Sequence, residues 1–182
     1  MSATSRDFQM LMMTSKRGSA HSLSEISYSG NRDHSETVVG IVVAKWNPGV
    51  TEKLFSGAQK TLKAAGLKAK NITRANVPGS FELPFGAQAL MDKILVKTDN
   101  LPDAIICLGC VVQGETRHFD FISQAVADGI MKVGLDTGIP VIFGVLTPDT
   151  MQQAIDRAGG KHGNKGTEAA IAALELIDTF GS

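Results

Sequence analysis

The chain has 182 residues, and its 18 Lys and Arg balance 18 Asp and Glu, giving zero formal net charge. That balance excludes the basic excess of a general nucleic-acid binder or of a polybasic membrane-surface protein, and two Cys exclude a disulfide framework. Hydrophobic residues make up 43%, enough for a packed core, yet no apolar run approaches the ~20 residues of a membrane span.

Residues 1–36 carry nine Ser, two Thr and four of the seven Met, with no sustained apolar period. They predict a disordered or loosely attached tail. No basic stretch leads into a long apolar one, so a secretory signal is not expected. The Ser-rich run with Arg6, Lys16 and Arg17 has some transit-peptide character, against which Asp7 and Glu25 count, so the expected location is cytoplasmic.

From Thr37 the texture changes, and 37–182 reads as one domain. Val38 to Ala44 is a β-branched apolar run, a buried strand, punctuated by Pro48-Gly49. Val50, Leu54, Ala58, Thr61, Leu62 and Ala65 recur at helical spacing and stop at Gly66. Ala69 to Val77 reads as a more polar strand near an edge. Leu83, Ala87, Leu90, Met91, Ile94 and Leu95 trace a helix that tolerates Pro84 in its first turn. Ala104 to Val112 is a third strand, and Ile122 to Val133 a third helix. Ile139 to Leu146 is a fourth strand. Met151 to Ala158 is a short helix broken by Gly159-Gly160, and Thr167 to Phe180 is a final Ala-rich helix. This alternation predicts an α/β three-layer sandwich: a four-stranded parallel sheet, flavodoxin-like, with helices on both faces.

Ligands of such sheets bind outside the carboxyl ends of the strands. Those ends carry Lys45-Trp46-Asn47, then Pro78 to Glu82, then Gly109 to His118, then Phe143 to Thr147. Gly114 permits a turn and Thr116 is a candidate helix N-cap, leaving backbone N–H groups that attract an anion. His118 would fall in the first helical turn, either as a surface packing residue or as a proton-transfer group. Glu82 is a favourable first-turn charge or a polyol acceptor. Trp46 and Phe143 are core residues or stacking platforms. Arg157 and Lys161 suit a helix C-terminus, or form a phosphate grip. Cys107 and Cys110, three apart in a strand, point to opposite faces, so neither a metal nor a redox role is expected. The residues alone thus predict a polar pocket for an anionic, partly planar ligand. The chain has no phosphate-loop Lys motif, dinucleotide fingerprint or nucleophile elbow.

Three blocks go further. Pro78-Gly79-Ser80-Phe81-Glu82-Leu83-Pro84, Gly109 through Asp120, and Phe143 to Thr147 followed by Gln153-Ala154 and Arg157 to Ala170 resemble the lumazine synthase family from about Val38 to Phe180. That resemblance implies condensation of 5-amino-6-(D-ribitylamino)uracil with 3,4-dihydroxy-2-butanone 4-phosphate, without a cofactor or metal. By motif, Trp46 takes the place of an aromatic stacked on the pyrimidine. Ser80, Phe81 and Glu82 bind the same substrate, Cys110, Val111 and Val112 contact its ring through backbone, and Phe143 joins them across a subunit boundary. Glu115 and Thr116 hold the butanone phosphate, with Arg157 from a neighbouring subunit. His118 is the proton donor or acceptor, and Lys165 and Glu168 pair to steady Arg157. Trp46 is larger than the usual Phe, and Gln113 replaces a frequent Arg. The family forms pentamers, some packed as an icosahedral shell, toward which the short Gly159–Gly166 turn leans, and riboflavin synthase is the protein partner it suggests. A non-catalytic cage that binds riboflavin or lumazine on the same fold is the alternative, motivated by Trp46.

Overall fold

In a computed structural model describing residues 27–181, the apolar run VGIVVA forms strand β1 (Val39–Ala44), with every residue buried. Burial on both faces demands neighbours on both edges and helices above and below. β1 accordingly pairs in parallel with β2 (Ile72–Val77) on one side and β3 (Ala104–Cys110) on the other. β3, also wholly buried, pairs in parallel with β4 (Val141–Leu146). The order is β2-β1-β3-β4. The more polar β2 lies at an edge, as its composition predicts.

Helix α1 (Pro48–Ala64) begins on a proline and buries Val50, Leu54, Ala58 and Leu62, a stripe at four-residue spacing. Together with α5 (Lys165–Phe180) it covers one face of the sheet. Helices α2 (Leu83–Thr98) and α3 (His118–Thr137) cover the other, around Val42, Ile105 and Cys107. The three-layer α/β sandwich is therefore present. Short helix α4 (Met151–Asp156) starts on a Thr150–Gln153 capping box.

Several boundaries differ from expectation. Residues 69–71 form a 3₁₀ turn rather than the start of β2. β4 begins at Val141, after Pro140, and β3 ends at Cys110. Gly159-Gly160 does not simply break a helix. Ala158–Gly160 (β5) pairs with Gly163–Asn164 (β6) as an antiparallel hairpin, with Gly159 and Gly163 at positive φ, where glycine is at no disadvantage.

The last ten residues of the expected tail are not loose. The buried His34 places Nε2 2.7 Å from the Tyr28 hydroxyl and 3.2 Å from Asp178 Oδ1, with Nδ1 3.1 Å from Thr37 Oγ1. Tyr28 donates to Asp178 Oδ2 at 2.7 Å, and Arg32 to the Ile177 carbonyl at 3.0 Å. These contacts strap residues 27–37 onto the end of α5. The expected targeting character of residues 1–26 lies outside the described residues. Among the described residues no helix is long and apolar enough to cross a membrane.

The α2–α3 face stays strongly apolar on its outside. α3 fully buries only Val126 and Ile130, while Phe121, Met131 and Leu135, with Phe85 and Val96 of α2, are more than half exposed.

Candidate active site

The exit of β1 is stitched to that of β2. Lys45 N–H donates to the Val77 carbonyl at 2.9 Å, and Trp46 N–H to the Pro78 carbonyl at 3.2 Å. The Trp46 indole, 69% exposed, lies over Gly79, where an added Cβ would sit 3.0 Å from Trp46 Cε3. Glu82 Oε2 accepts from Gly79 N–H at 2.8 Å and so closes the 3₁₀ turn Ser80–Glu82. Its other oxygen makes no hydrogen bond among the described residues. Phe81 is 56% exposed beside this turn. Ser80 is buried against Gly109, where a Cβ would come within 2.5 Å of Ser80 Oγ.

The exit of β3 is tied as firmly. Asn47 Nδ2 donates to the Cys110 carbonyl at 3.0 Å. Val111 N–H donates to the Leu146 carbonyl at 2.8 Å and Gln113 N–H to the Pro148 carbonyl at 2.9 Å. Cys110 faces the α1–α5 core and Cys107 the opposite one, as their spacing predicts. Burial pushes the Cys110 thiol up to about 11 and Cys107 further. Neither is a thiolate nucleophile near neutral pH.

Beyond Val112 the chain opens. Residues 113–118 are all exposed. Thr116 is not the helix N-cap: Arg117 holds that position without a side-chain cap bond, and Thr116 Oγ1 accepts from His118 N–H at 3.4 Å. His118 is the first residue of α3.

Arg157, at the end of α4, is gripped in its own chain. Its NH1 donates to Glu168 Oε1 at 2.7 Å and to the His162 carbonyl at 2.6 Å, and its NH2 to Glu168 Oε2 at 2.8 Å. Lys165 Nζ reaches Glu168 Oε2 at 3.3 Å. Lys161 pairs instead with Asp156 at 3.1 Å. The Gln152 hydrogen bond, followed by Lys161, holds the Asp156 carboxyl below its usual range.

The fold thus gathers Trp46, Ser80, Phe81, Glu82, Cys110, Val111 and Val112 at one edge, with Glu115, Thr116 and His118 on the adjoining loop. It does not gather all the expected residues. Phe143 is not at the carboxyl end of its strand. It pairs with Cys107, three residues below Cys110, about 10 Å from the rim at strand rise. No hydrogen bond or ion pair links Arg157 to Glu115, Thr116 or His118 among the described residues. Sequence reasoning missed Asn47 as a site residue. A signal for it existed, because Asn between a strand end and a helix-starting Pro favours left-handed turns.

The family model described as 6,7-dimethyl-8-ribityllumazine synthase matches residues 36–180. A protein of that name from Cytophaga hutchinsonii is 58% identical over 152 residues, covering 83% of this chain and 92% of its own. One from Parabacteroides distasonis is 52% identical, covering 86% of this chain and 94% of its own. One from Porphyromonas gingivalis is 48% identical, covering 86% and 93%.

Proposed function

The chain belongs to the 6,7-dimethyl-8-ribityllumazine synthase family, and on that premise we propose how its own residues divide the work. It catalyses the condensation of 5-amino-6-(D-ribitylamino)uracil with 3,4-dihydroxy-2-butanone 4-phosphate, the penultimate step of riboflavin biosynthesis. The observation that carries the assignment of roles is the stitched rim, where three strand exits meet beside the start of α3.

In this reading the pyrimidine stacks on the exposed Trp46 indole. Its polar edge meets the backbone of Cys110, Val111 and Val112. Ser80 and Phe81 line its flank, and the free oxygen of Glu82 accepts from the ribityl chain. The phosphate of the second substrate sits at Glu115 and Thr116, near the start of α3, where the helix dipole favours an anion. The amine of the pyrimidine attacks the ketone, and water leaves as the imine forms. Elimination then expels phosphate, and ring closure expels a second water. The nucleophile belongs to the substrate, so the protein contributes positioning and proton transfer. His118, exposed beside the phosphate loop, gives and takes those protons.

Phe143 and Arg157 serve a neighbouring subunit's site, with Lys165 and Glu168 holding the guanidinium flat for a bidentate phosphate grip. Among the described residues no bond joins Arg157 to Glu115, Thr116 or His118, and Phe143 lies below the rim opposite Cys107. Both support this, as does the apolar outer face of α2 and α3. The assembly is a pentamer with shared sites. The tight β5–β6 hairpin favours closure of pentamers into an icosahedral shell, with a riboflavin synthase as its protein partner, in the cytoplasm.

The test mixes purified protein with both substrates and follows lumazine fluorescence against the uncatalysed reaction. A rate well above background is expected. A background rate from folded protein that still binds flavin would favour the non-catalytic cage.

A further inference from the structure

Asn47 occupies the N-cap of α1 but does not cap it. An N-cap residue ordinarily has extended backbone and turns its side-chain oxygen to the helix's free N–H groups. Asn47 instead has φ 56° and ψ 53°, left-handed, and makes no side-chain bond to the helix. The other described non-glycine residue at positive φ, Asp99, closes a helix C-terminus, where that conformation is routine. At a helix start it is an expense, and such outliers point to function when something specific holds them.

What holds Asn47 lies across the site. Its Nδ2–H donates to the Cys110 carbonyl at 3.0 Å. The β1–β3 register ends at Val43 with Leu108, so this bond joins the two strands after their ladder has stopped. With order β2-β1-β3-β4, the gap between the β1 and β3 exits is the topological switch point, where ligands of such sheets enter. Trp46 is therefore fixed from both sides. Its own N–H is tied to the β2 exit at Pro78, and the next side chain is tied to the β3 exit at Cys110.

We propose that Asn47 is a positioning residue for the pyrimidine subsite, acting through Trp46 and the Cys110 backbone by setting the gap between the stacking ring and the strand-three exit. This rests on the functional reading above. The left-handed backbone frees the side chain from the helix, and the amide then spans the switch point.

Asn47→Gly separates the two contributions, because glycine adopts the left-handed backbone freely and lacks the amide. Asn47→Asp keeps shape and turn preference but sets a carboxylate oxygen against a carbonyl. The expected result for Asn47→Gly is a rise of about 3- to 10-fold in KM for the ribitylaminouracil, the size of one neutral hydrogen bond. KM for the butanone phosphate stays unchanged, and Asn47→Asp is affected at least as strongly. The emission of Trp46, the single Trp in the chain, shifts in the free variants, and its quenching by added lumazine needs correspondingly more ligand. Unchanged pyrimidine KM and quenching in Asn47→Gly, or equal rises in both KM values, would overturn the proposal. If the unsubstituted protein lacks turnover but is quenched by lumazine, the enzymatic reading fails and the quenching titration still decides the role of Asn47. If it shows neither, both readings fall.

Discussion

Around the carboxyl edge of the sheet, the exits of β1, β2 and β3 are joined by hydrogen bonds from Trp46 N–H to Pro78 and from Asn47 Nδ2 to Cys110. Gly79 N–H donates to Glu82 within the β2 exit, and Val111 N–H donates to Leu146 at the end of β4. Residues 113–118 next to them stand in solvent. Past Gln113, whose N–H is held by the Pro148 carbonyl at 2.9 Å, their bonds among the described residues stay within the loop and the first turn of α3, as between Thr116 and His118 at 3.4 Å. The first region is a platform set before any ligand arrives. The second is a loop whose partners, in our proposal, are the substrate and a neighbouring subunit. The difference follows from topology: at the switch point three strand exits lie close enough to bond one another, and the β3–α3 loop leads away from them. Rigid placement of the heterocycle makes geometric demands that the fold itself can meet. Phosphate binding and proton transfer depend on charge, which reaches through an open loop.

Substitutions in the open region should act on chemistry and leave the platform intact. His118→Ala should lower kcat about 10²- to 10⁴-fold, the range of a lost general acid–base group, with an unchanged melting transition because the side chain is exposed. Unchanged kcat would remove His118 from the mechanism. Arg157→Ala should raise KM for the butanone phosphate about 10- to 100-fold, the scale of a charge-assisted contact. A rise confined to the pyrimidine substrate would show that Arg157 belongs with the platform.

Substitutions in the platform should be milder and restricted to the pyrimidine. Gly79→Ala puts a methyl 3.0 Å from the Trp46 ring. The exposed ring can yield, so pyrimidine KM should rise about 2- to 5-fold, at the low end of overpacking costs, with phosphate affinity untouched. Equal losses for both substrates would mean that the two regions are mechanically one.

The strap is the control, ordered by the same kinds of bond but distant from the chemistry. Partial burial, then the hydrogen bond to and charge of Asp178, push the Tyr28 hydroxyl up to about 12. The folded state therefore holds this proton more tightly than the unfolded chain does. Its contribution to stability is complete below about pH 10 and declines as pH rises toward 12. Tyrosinate absorbance, which reads Tyr28 alone because the chain has one Tyr, should titrate near 12. A midpoint near 10 would contradict the docked strap. Tyr28→Phe should leave both KM values unchanged.

The sandwich was legible in the sequence because β1 and β3 are buried on both faces and read as unbroken apolar runs. The edge position of β2 showed in its Thr, Arg and Asn. That the rim residues gather at one edge was legible for a different reason, since each follows a strand end and parallel strands put those ends together. Other features left no local pattern. The β5–β6 hairpin is built largely of glycines, which carry no period-two signal. The strap depends on Tyr28 meeting Asp178 across 150 positions. Asn47 was read only as part of the strand-one exit, and its bond to Cys110 follows from the order of strands. Phe143 was read at a strand end although β4 runs on to Leu146, three residues beyond it.

If, as we propose, Phe143 and Arg157 of a neighbouring subunit complete each site, two variants defective in different contributions should rescue one another on co-assembly. His118→Ala and Arg157→Ala chains would be co-expressed in equal amounts and assayed at butanone phosphate well below the KM of the Arg157 variant. If the site is shared, about one quarter of the sites in mixed oligomers regain both groups, and activity rises far above that of either variant alone. Activity no greater than the average of the two separate variants would place His118 and Arg157 in the same subunit's site and contradict the account.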